Sequence, residues 1–301
     1  MIPAPALEAL RDAFGERLLL DEPLAKHTSA RIGGPADAFL VAHTIDDLRR
    51  AAAIAWAHNV PLTVLGGGSN ILISDRGVRG LVLHNRTNRI TFGEAAVTAD
   101  SGVGLMTLAR RCIKRGLAGL EWAIGVPGTL GGALYGNAGA HGGDMQGSTR
   151  TVTLITPQGD RVLSGEEMGF AYRSSALKRE RRPALILGAE LALTPEEPAA
   201  IQARADAFTA HRRRTQPPGA TLGSTFKNPP GDYAGRLIEA AGLKGTQRGG
   251  ARISELHANF FLNVENATAG DVMALIEYAR AEVLRHFGVL LELEIELVGE
   301  W

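Results

Sequence analysis

The sequence has 301 residues, of which 45% are hydrophobic and 21% are charged, and these fractions are ordinary for globular proteins. A chain of this length usually forms two or three domains. The 32 Lys and Arg residues balance the 32 Asp and Glu residues, which argues against a general nucleic-acid-binding protein. The one cysteine, Cys112, excludes an intramolecular disulfide framework and a cysteine-based zinc site, and we expect it to be buried.

The N-terminal 20 residues carry acidic side chains before and after their apolar positions. They lack the basic stretch and long apolar run of a secretory signal. The sequence also has no uncharged apolar stretch long enough to span a bilayer. We therefore expect a cytoplasmic protein without a membrane partner.

The first half of the chain mixes helical and strand-like segments after a helical N-terminus. Thr44 is the expected N-cap of a helix, because Asp46 and Asp47 follow in its first turn. Short apolar runs bounded by turn residues predict strands. The predicted elements are helix Ile45–Asn59, strands Leu62–Leu65, Ile71–Ile73, Gly80–His84, Ala96–Ala99 and Thr151–Thr156, and helix Gly104–Lys114.

The second half contains a predicted domain boundary near Pro195–Pro198, where two prolines interrupt the pattern. The final segment, Leu291–Leu297, alternates strictly between apolar and acidic residues, which predicts a strand with one apolar face. The other predicted elements are strand Pro183–Leu193, helix Ala199–Arg214, a glycine-rich loop over Gly219–Gly231, helix Tyr233–Ala241, strand Asn259–Val264, and helix Ala269–His286 behind Thr268.

Glycine is the compositional outlier, with 37 residues in 301. Three glycines followed by Ser69 and Asn70 come directly after the predicted strand Leu62–Leu65. Such a loop exposes successive backbone N–H groups and suits a phosphate or pyrophosphate. It lacks the spacing of the dinucleotide and nucleoside-triphosphate fingerprints. A tight turn between strands is the alternative explanation.

A second glycine cluster, Gly125–Gly143, holds eight glycines interleaved with apolar residues. This regularity is not typical of a linker, and it indicates that the backbone approaches something closely. A flat ring system would satisfy the pattern. Close packing of chain against chain is the less favoured alternative.

Seven ordered motifs extend over nearly the whole chain, namely Thr28–Asp37, Gly66–Asn70, Gly125–Ala133, Tyr172–Ser175, Gly223–Pro229, Ser254–Phe260 and Leu291–Gly299. Together they resemble the UDP-N-acetylenolpyruvoylglucosamine reductase (MurB) family. The interval between Tyr172 and Gly223 leaves no room for the extra tyrosine-bearing loop of the longer subtype. The chain therefore resembles the shorter subtype.

The resemblance implies an α+β fold in which a two-part FAD-binding region of the vanillyl-alcohol-oxidase (PCMH) type precedes an α+β substrate-binding domain. We expect FAD-binding subdomains over residues 1–75 and 76–197 and a substrate-binding domain over 198–301, with its C-terminal strand returning to the active site. Under the same resemblance, the FAD-binding residues are Arg31, Gly66, Gly67, Gly68, Ser69, Asn70, Gly125, Val126, Pro127, Gly128, Thr129, Gly132 and Ala133.

The resemblance implies three catalytic residues. Arg173 would stabilise the charge that builds on the substrate carboxylate, Ser224 would donate a proton, and Glu294 would act with the arginine on the enol form. Without the resemblance, a solvated surface charge is the favoured explanation of Arg173, and a turn residue is the favoured explanation of Ser224. The residues alone leave open which of Glu292, Glu294 and Glu296 is functional, because period-2 geometry places all three on one strand face.

Substrate contacts are implied for Tyr172, Lys227, Asn228 and His257. A structural hydrogen bond is the alternative for His257. Leu256 stands where many family members carry lysine, so an ammonium contact is not expected there. The basic run Arg212–Pro217 either attracts a diphosphate or is a helix-end cation cluster.

The implied activity is NADPH-dependent, FAD-mediated reduction of UDP-N-acetylglucosamine enolpyruvate to UDP-N-acetylmuramate, a step of peptidoglycan precursor synthesis in the cytoplasm. The expected partners are FAD, NADPH and the nucleotide substrate, with no nucleic acid and no metal, and we take a monomer as the working expectation. Two alternatives remain. One is an FAD oxidase or dehydrogenase of the same fold, and the other is a nucleotide-sugar-binding protein without catalysis.

Overall fold

The computed structural model describes residues 2–301. None of the helices in this range has the length and apolar character needed to cross a membrane. Short 3₁₀ segments lie at Gly15–Arg17, Leu24–His27 and Glu121–Ala123. The α-helices are α1 Ala4–Phe14, α2 Ile45–Ala57, α3 Leu105–Lys114, α4 Leu130–Gly136, α5 Ala176–Glu180, α6 Pro198–Thr215, α7 Ala234–Ala240 and α8 Ala269–Phe287.

The strands alternate with these helices along the chain. Those of the first half are β1 Leu18–Pro23, β2 Pro35–Ala42, β3 Leu62–Leu65, β4 Ile71–Ile73, β5 Val78–Asn85, β6 Ile90–Phe92, β7 Ala96–Asp100, β8 Leu117–Ala118, β9 Gly139–Ala140 and β10 Gly143–Asp144. Those of the second half are β11 Thr149–Thr156, β12 Gly159–Ser164, β13 Leu185–Ala192, β14 Thr194–Pro195, β15 Ala220–Ser224, β16 Gln247–Arg248, β17 Ala251–Ile253, β18 Phe260–Asn263 and β19 Glu296–Val298.

The N-terminal region is a four-stranded sheet in the order β1-β2-β5-β3, in which β5 runs parallel to both β2 and β3. Helices α1 and α2 cover one face with buried residues such as Leu10 and Leu48. The predicted cap of α2 is confirmed, because the Thr44 hydroxyl accepts from Asp47 N–H while the Asp47 carboxylate accepts from Thr44 N–H. This capping box fixes where the helix begins.

The middle region is an antiparallel five-stranded sheet in the order β12-β11-β13-β7-β6. Helices α3 and α4 contribute to its core, and Cys112 of α3 is fully buried there as a free thiol, as expected. Burial raises the pKa of this thiol to about 12. The cysteine therefore acts as a small apolar side chain.

The C-terminal region is an antiparallel sheet in the order β15-β18-β17-β16, on which α8 packs, and α7 packs on α8. The predicted N-cap Thr268 is confirmed by a capping box with Asp271. The Asp75 carboxylate, from the N-terminal region, also accepts from the backbone N–H groups of Ala269 and Gly270. The start of α8 is thus held by its own capping box and by one distant segment of the chain.

The regions share core residues across the predicted boundaries. Ile201 and Ala205 of α6 are buried in the middle core, whereas Ala30, Ile32 and Leu72 are buried in the C-terminal core. Strand β19 leaves the C-terminal region and pairs in parallel with β4. The division at residues 75 and 197 therefore stays a prediction.

Two predicted elements were wrong in detail. Residues 220–224 form β15 inside the segment expected to be a loop, because Ala220 and Thr221 pair with Asn263 and Leu262. The alternating segment Leu291–Leu297 is not one continuous strand. Leu293 forms an isolated bridge with Phe226, and only Glu296–Val298 pairs with β4, so the backbone bends between two partners.

Candidate active site

A cleft of about 1540 Å³ lies where the three regions meet. The loops at 66–70 and 125–133, the segment 211–217 and the end of β15 all contribute to its walls. The lining residues with charged side chains are Arg173, Lys178, Arg181, Arg182, Arg212, Arg214, Glu294 and Glu296. Cations therefore outnumber carboxylates in the cleft, which favours anionic ligands.

The first glycine loop connects β3 to β4 and packs backbone-to-backbone on the second. A Cβ on Gly67 would lie 2.9 Å from Gly128 Cα, and one on Gly66 would lie 2.4 Å from Thr129 Oγ1. Gly68 has φ +59°, and its Cβ would meet the His27 carbonyl oxygen. Only glycine allows the two loops to approach this closely.

The second glycine cluster divides between packing and an open wall. Gly143 packs on Trp122 with no space for a Cβ, and a Cβ on Gly131 would lie 3.0 Å from Ser101. Gly131, Gly132 and Gly136 all line the cleft, and a Cβ on Gly136 would have no atom within 4 Å. Close packing therefore explains Gly143, and the space at Gly132 and Gly136 leaves room for a flat ring.

These walls fit FAD. The loop at 66–70 presents unobstructed backbone to the cleft, as a pyrophosphate requires. The open surface at Gly132 and Gly136 leaves space that a side chain would fill, as a flat ring against the backbone requires. No group of three His, Cys, Asp or Glu residues suited to a metal ion occurs within residues 2–301.

Arg173 is presented to the cleft by a tight turn. It has φ +54°, and Ala171 and Ser174 on either side exchange backbone hydrogen bonds of 3.0 Å each. The Ala171 carbonyl also accepts from Asn137 Nδ2 at 3.1 Å. A non-glycine residue in the left-handed region costs conformational energy, and such strain is often found at functional positions.

Glu294 pairs with this arginine across 121 residues of sequence. Arg173 Nε donates to Glu294 Oε1 at 2.7 Å, and the two side chains are 25% and 14% exposed. Burial raises the pKa of Glu294, and the nearby charge of Arg173 opposes that rise without cancelling it. The alternating glutamates differ in exposure and partner, since Glu292 is 75% exposed and pairs with Lys227.

Ser224 lies at the end of β15 and lines the same cleft. Gly223 before it has φ +78°, and the pairing of β15 with β18 shifts register between Thr221 and Ser224. The following residues lie beside the Glu294 segment, because Glu294 N–H donates to the Thr225 carbonyl at 2.9 Å. The fold thus brings Arg173, Ser224 and Glu294 to one cleft.

The remaining predicted site residues lie partly outside the cleft lining. His257 lines the cleft, and its Nδ1 accepts from Asn259 N–H at 3.2 Å, so it also has the structural role considered above. The cleft lining does not include Tyr172, Lys227 or Asn228, which lie at its margin. The Tyr172 hydroxyl accepts from Asn228 N–H at 3.4 Å. Arg31 is exposed and outside the lining residues. The exposed Leu256 lines the cleft as an apolar contact.

Sequence reasoning missed the ion pair between Lys178 and Glu296. Lys178 Nζ lies 2.6 Å from Glu296 Oε1, and both residues line the cleft. The five-residue spacing from Arg173 and the period-2 spacing from Glu294 were visible in the sequence. Nothing local indicated that the two charges meet.

Comparisons with known proteins match an FAD-binding domain and a reductase domain along this chain. Residues 36–163 match the model of an FAD-binding domain, and residues 215–298 match the C-terminal domain of UDP-N-acetylenolpyruvoylglucosamine reductase. An alkyldihydroxyacetonephosphate synthase structure shares the fold over 64% of this chain and 40% of its own, with a TM-score of 0.50 at 21% identity. The fold and the cleft define a flavin-dependent oxidoreductase with a PCMH-type FAD-binding region.

Full-length relatives narrow this class. A UDP-N-acetylenolpyruvoylglucosamine reductase from Chloroflexus aggregans is 43% identical over 96% of this chain and 100% of its own. UDP-N-acetylenolpyruvoylglucosamine reductase 2 from Symbiobacterium thermophilum is 45% identical over 98% and 97%. The crystal structure of MurB from Thermus caldophilus superposes with a TM-score of 0.80 at 33% identity, covering 93% of this chain and 98% of that one. The chain belongs to the UDP-N-acetylenolpyruvoylglucosamine reductase family.

Proposed function

We propose that the protein reduces the enolpyruvyl group of UDP-N-acetylglucosamine enolpyruvate to the lactyl ether of UDP-N-acetylmuramate, using NADPH and FAD. The observation that carries the proposal is the convergence of Arg173, Glu294 and Ser224 on the cleft formed by the two glycine loops. Bound FAD would accept hydride from NADPH and pass it to the outer vinyl carbon of the substrate. The protein residues bind the substrate, stabilise charge and move the proton.

Arg173 is proposed to hold the substrate carboxylate. Its Nε–H is taken up by Glu294, and a guanidinium has four further N–H groups on its terminal nitrogens. These groups can grip a carboxylate through two parallel hydrogen bonds. The permanent cation then stabilises the negative charge that builds on that carboxylate in the transition state.

Glu294 is proposed to orient the guanidinium and to stabilise the enol form of the carboxylate. Its raised pKa, caused by burial, favours the protonated acid more than at a solvated glutamate. A protonated carboxyl group can donate a hydrogen bond to developing negative charge. Its placement beside Arg173 therefore suits a group that polarises the enol.

Ser224 is proposed to deliver the proton to the carbon next to the carboxylate. A serine hydroxyl is a weak acid in water, so its proton must be taken by a strong base and replaced from a neighbour. A carbanion stabilised only through Arg173 and Glu294 is such a base. The position of Ser224 at the cleft end of β15 supports this role.

FAD contacts are proposed for the two loops. The pyrophosphate is assigned to the loop at 66–70, and the flavin ring to the backbone of residues 125–129 with Gly132 and Ala133, all of which line the cleft. Arg31 remains a predicted contact outside the described lining. Tyr172, Lys227, Asn228 and His257 are proposed to bind substrate from the cleft and its margin.

The excess of cations in the cleft supports binding of two diphosphate-bearing ligands.

We further propose that the protein acts as a cytoplasmic monomer. Residues 1–75 and 76–197 are proposed as the FAD-binding subdomains, and residues 198–301 as the substrate-binding domain.

The two half-reactions test the proposal. Anaerobic NADPH should bleach the yellow protein, and the enolpyruvyl nucleotide should then restore the flavin absorbance. Ser224→Ala should leave bleaching nearly unchanged and slow restoration by about 10² or more, because only the second half-reaction needs the proton donor. Stopped-flow absorbance measures both rates.

Ser164→Ala is the matched control, since Ser164 lies in β12 and outside the cleft lining. A wild-type protein that NADPH bleaches but the nucleotide does not reoxidise would refute the proposed substrate. Equal loss of both half-reactions in Ser224→Ala would refute the role of Ser224. Flavin that stays with acid-precipitated protein would favour an oxidase with covalently attached cofactor.

A further inference from the structure

Two segments of the chain carry the Arg173–Glu294 pair, and a second ion pair joins the same two segments. The first segment is the turn at Arg173 together with helix α5, in which Ser175 caps the helix and also donates through Oγ to the Tyr135 carbonyl at 2.7 Å. The second is the C-terminal segment, whose Glu296 N–H donates to the Asn70 carbonyl at 2.9 Å. The second ion pair is Lys178–Glu296.

The two ion pairs lie close together in sequence and are similarly buried. Lys178 lies in the one short helix that follows the Arg173 turn, and Glu296 lies two residues beyond Glu294 with the buried Ile295 between them. Lys178 and Glu296 are 18% and 26% exposed, close to the 25% and 14% of Arg173 and Glu294. Partly buried ion pairs of this kind are weakly screened and fix geometry.

We propose that Lys178 is a positioning residue for the reaction, because its ion pair with Glu296 is a second clasp that holds the Arg173 turn against Glu294. The clasp also joins this turn to the FAD loop, since Asn70 Nδ2 donates to the Glu294 carbonyl at 3.2 Å. Small displacements of reacting groups are costly to rate. The distance between the guanidinium and the glutamate therefore depends on Lys178.

The clasp also sets the charge around Glu294. Three cations from three different elements face this carboxyl group, namely Arg173, Lys178 and Lys227, and each lowers its pKa against the larger effect of burial. Glu296 compensates the charge of Lys178 at 2.6 Å. Removing only one partner leaves the other charge unpaired in a partly buried place.

Two single variants separate positioning from a merely structural role. Glu296→Gln breaks the clasp and keeps the charge of Lys178, so Arg173 should move away from Glu294 and the pKa of Glu294 should rise, whereas loss of the Glu296 charge alone would lower it. Lys178→Met breaks the clasp as well and should also raise this pKa. The double variant should keep the raised pKa, and Lys178→Arg should keep the wild-type value. NMR titration of ¹³Cδ-labelled glutamate, assigned with Glu294→Gln, measures this pKa without turnover.

The kinetic readout rests on the proposed function. Lys178→Met should slow flavin reoxidation by substrate about tenfold or more, because the guanidinium is displaced, and change flavin reduction by NADPH less than about twofold. Lys178→Arg should restore reoxidation to near the wild-type rate. Arg285→Met, which breaks the 2.6 Å pair with Glu282 on α8, is the control and should change neither rate.

The outcomes separate the two proposals. If wild-type protein is not reoxidised by the nucleotide, the proposed substrate fails while the NMR titration still tests the clasp. If Glu296→Gln lowers the pKa of Glu294 or leaves it unchanged, the clasp proposal is overturned. Equal slowing of both half-reactions in Lys178→Met would overturn it as well, and thermal unfolding of each variant verifies that it folds.

Discussion

At the scale of single residues, the protein contains side chains whose chemistry is set by burial. His84 of β5 is 8% exposed, and its Nδ1 is buried without a hydrogen-bond partner. Burial, with the nearby charges of Arg86 and His27, lowers its pKa to about 4, whereas its hydrogen bond with the backbone of Gly66 opposes the shift. The ring therefore stays neutral beneath the glycine loop.

His84 predicts a pH dependence of stability. Its pKa is about 4 when folded and near 6.5 when unfolded, so the unfolded chain binds more protons between these values. The free energy of unfolding should therefore fall as pH drops from about 6.5 to about 4. Urea unfolding across this range should show a shallower slope for His84→Gln.

The exposed His286 provides the control for this experiment. His286→Gln should keep the wild-type slope, because its ring is 40% exposed on α8. An unchanged slope in His84→Gln would show that other groups cause the acid sensitivity.

At the scale of elements, the two glycine loops form one unit. The loop at 66–70 follows β3 and the loop at 125–129 precedes α4, and their backbones meet at Gly67 and Gly128. The Thr129 hydroxyl caps α4 by accepting from Gly132 N–H. The proposed FAD cradle is therefore built by the packing of two loops from different regions of the chain.

Gly67→Ala should push the loops apart and weaken FAD binding. Overpacking of this kind costs about 1–3 kcal/mol, which corresponds to roughly 5- to 150-fold in dissociation constant. Titration of apoprotein with FAD, followed by flavin fluorescence, measures the change.

Gly93→Ala is the matched control for Gly67→Ala. A Cβ there would make ordinary contacts at 3.7 Å and beyond, in a turn away from the cleft. Equal FAD affinity of Gly67→Ala and wild type would show that the loops can separate without loss of the site.

At the scale of the whole molecule, the three regions share their interiors. The C-terminal core includes Ala30, Ile32 and Leu72, and Asp75 caps α8 from outside that region. Helix α6 belongs by sequence to the predicted third domain but buries Ile201 in the middle core. The active-site cleft is formed by this sharing, because no single region supplies all of its walls.

The predicted third domain should therefore not fold alone. A fragment of residues 198–301 would lose the buried contacts of Leu72 and Ile32 and would expose Ile201 to water. Its thermal unfolding, followed by circular dichroism, should lack a cooperative transition that the full chain shows. A cooperative transition with dispersed NMR signals in the fragment would contradict this account.

Local signals predicted much of the fold. Helices α2 and α8 begin at the expected caps Thr44 and Thr268, and β3 has the predicted bounds Leu62–Leu65. A cap or an apolar alternation depends on residues that are close in sequence, so it can be predicted from the sequence. The bend in the C-terminal segment could not be predicted from the sequence, because it depends on the separate partners Phe226 and β4.

The sequence by itself determined the family, several helix caps and strands, and three residues that the structure brings to one cleft, namely Arg173, Ser224 and Glu294. Only the tertiary structure decided which of three alternating glutamates pairs with Arg173, and that Lys178 and Glu296 form a second pair beside it. The physical reason is distance along the chain. Arg173 and Glu294 are 121 residues apart, and their contact exists only after separate regions pack around one cleft.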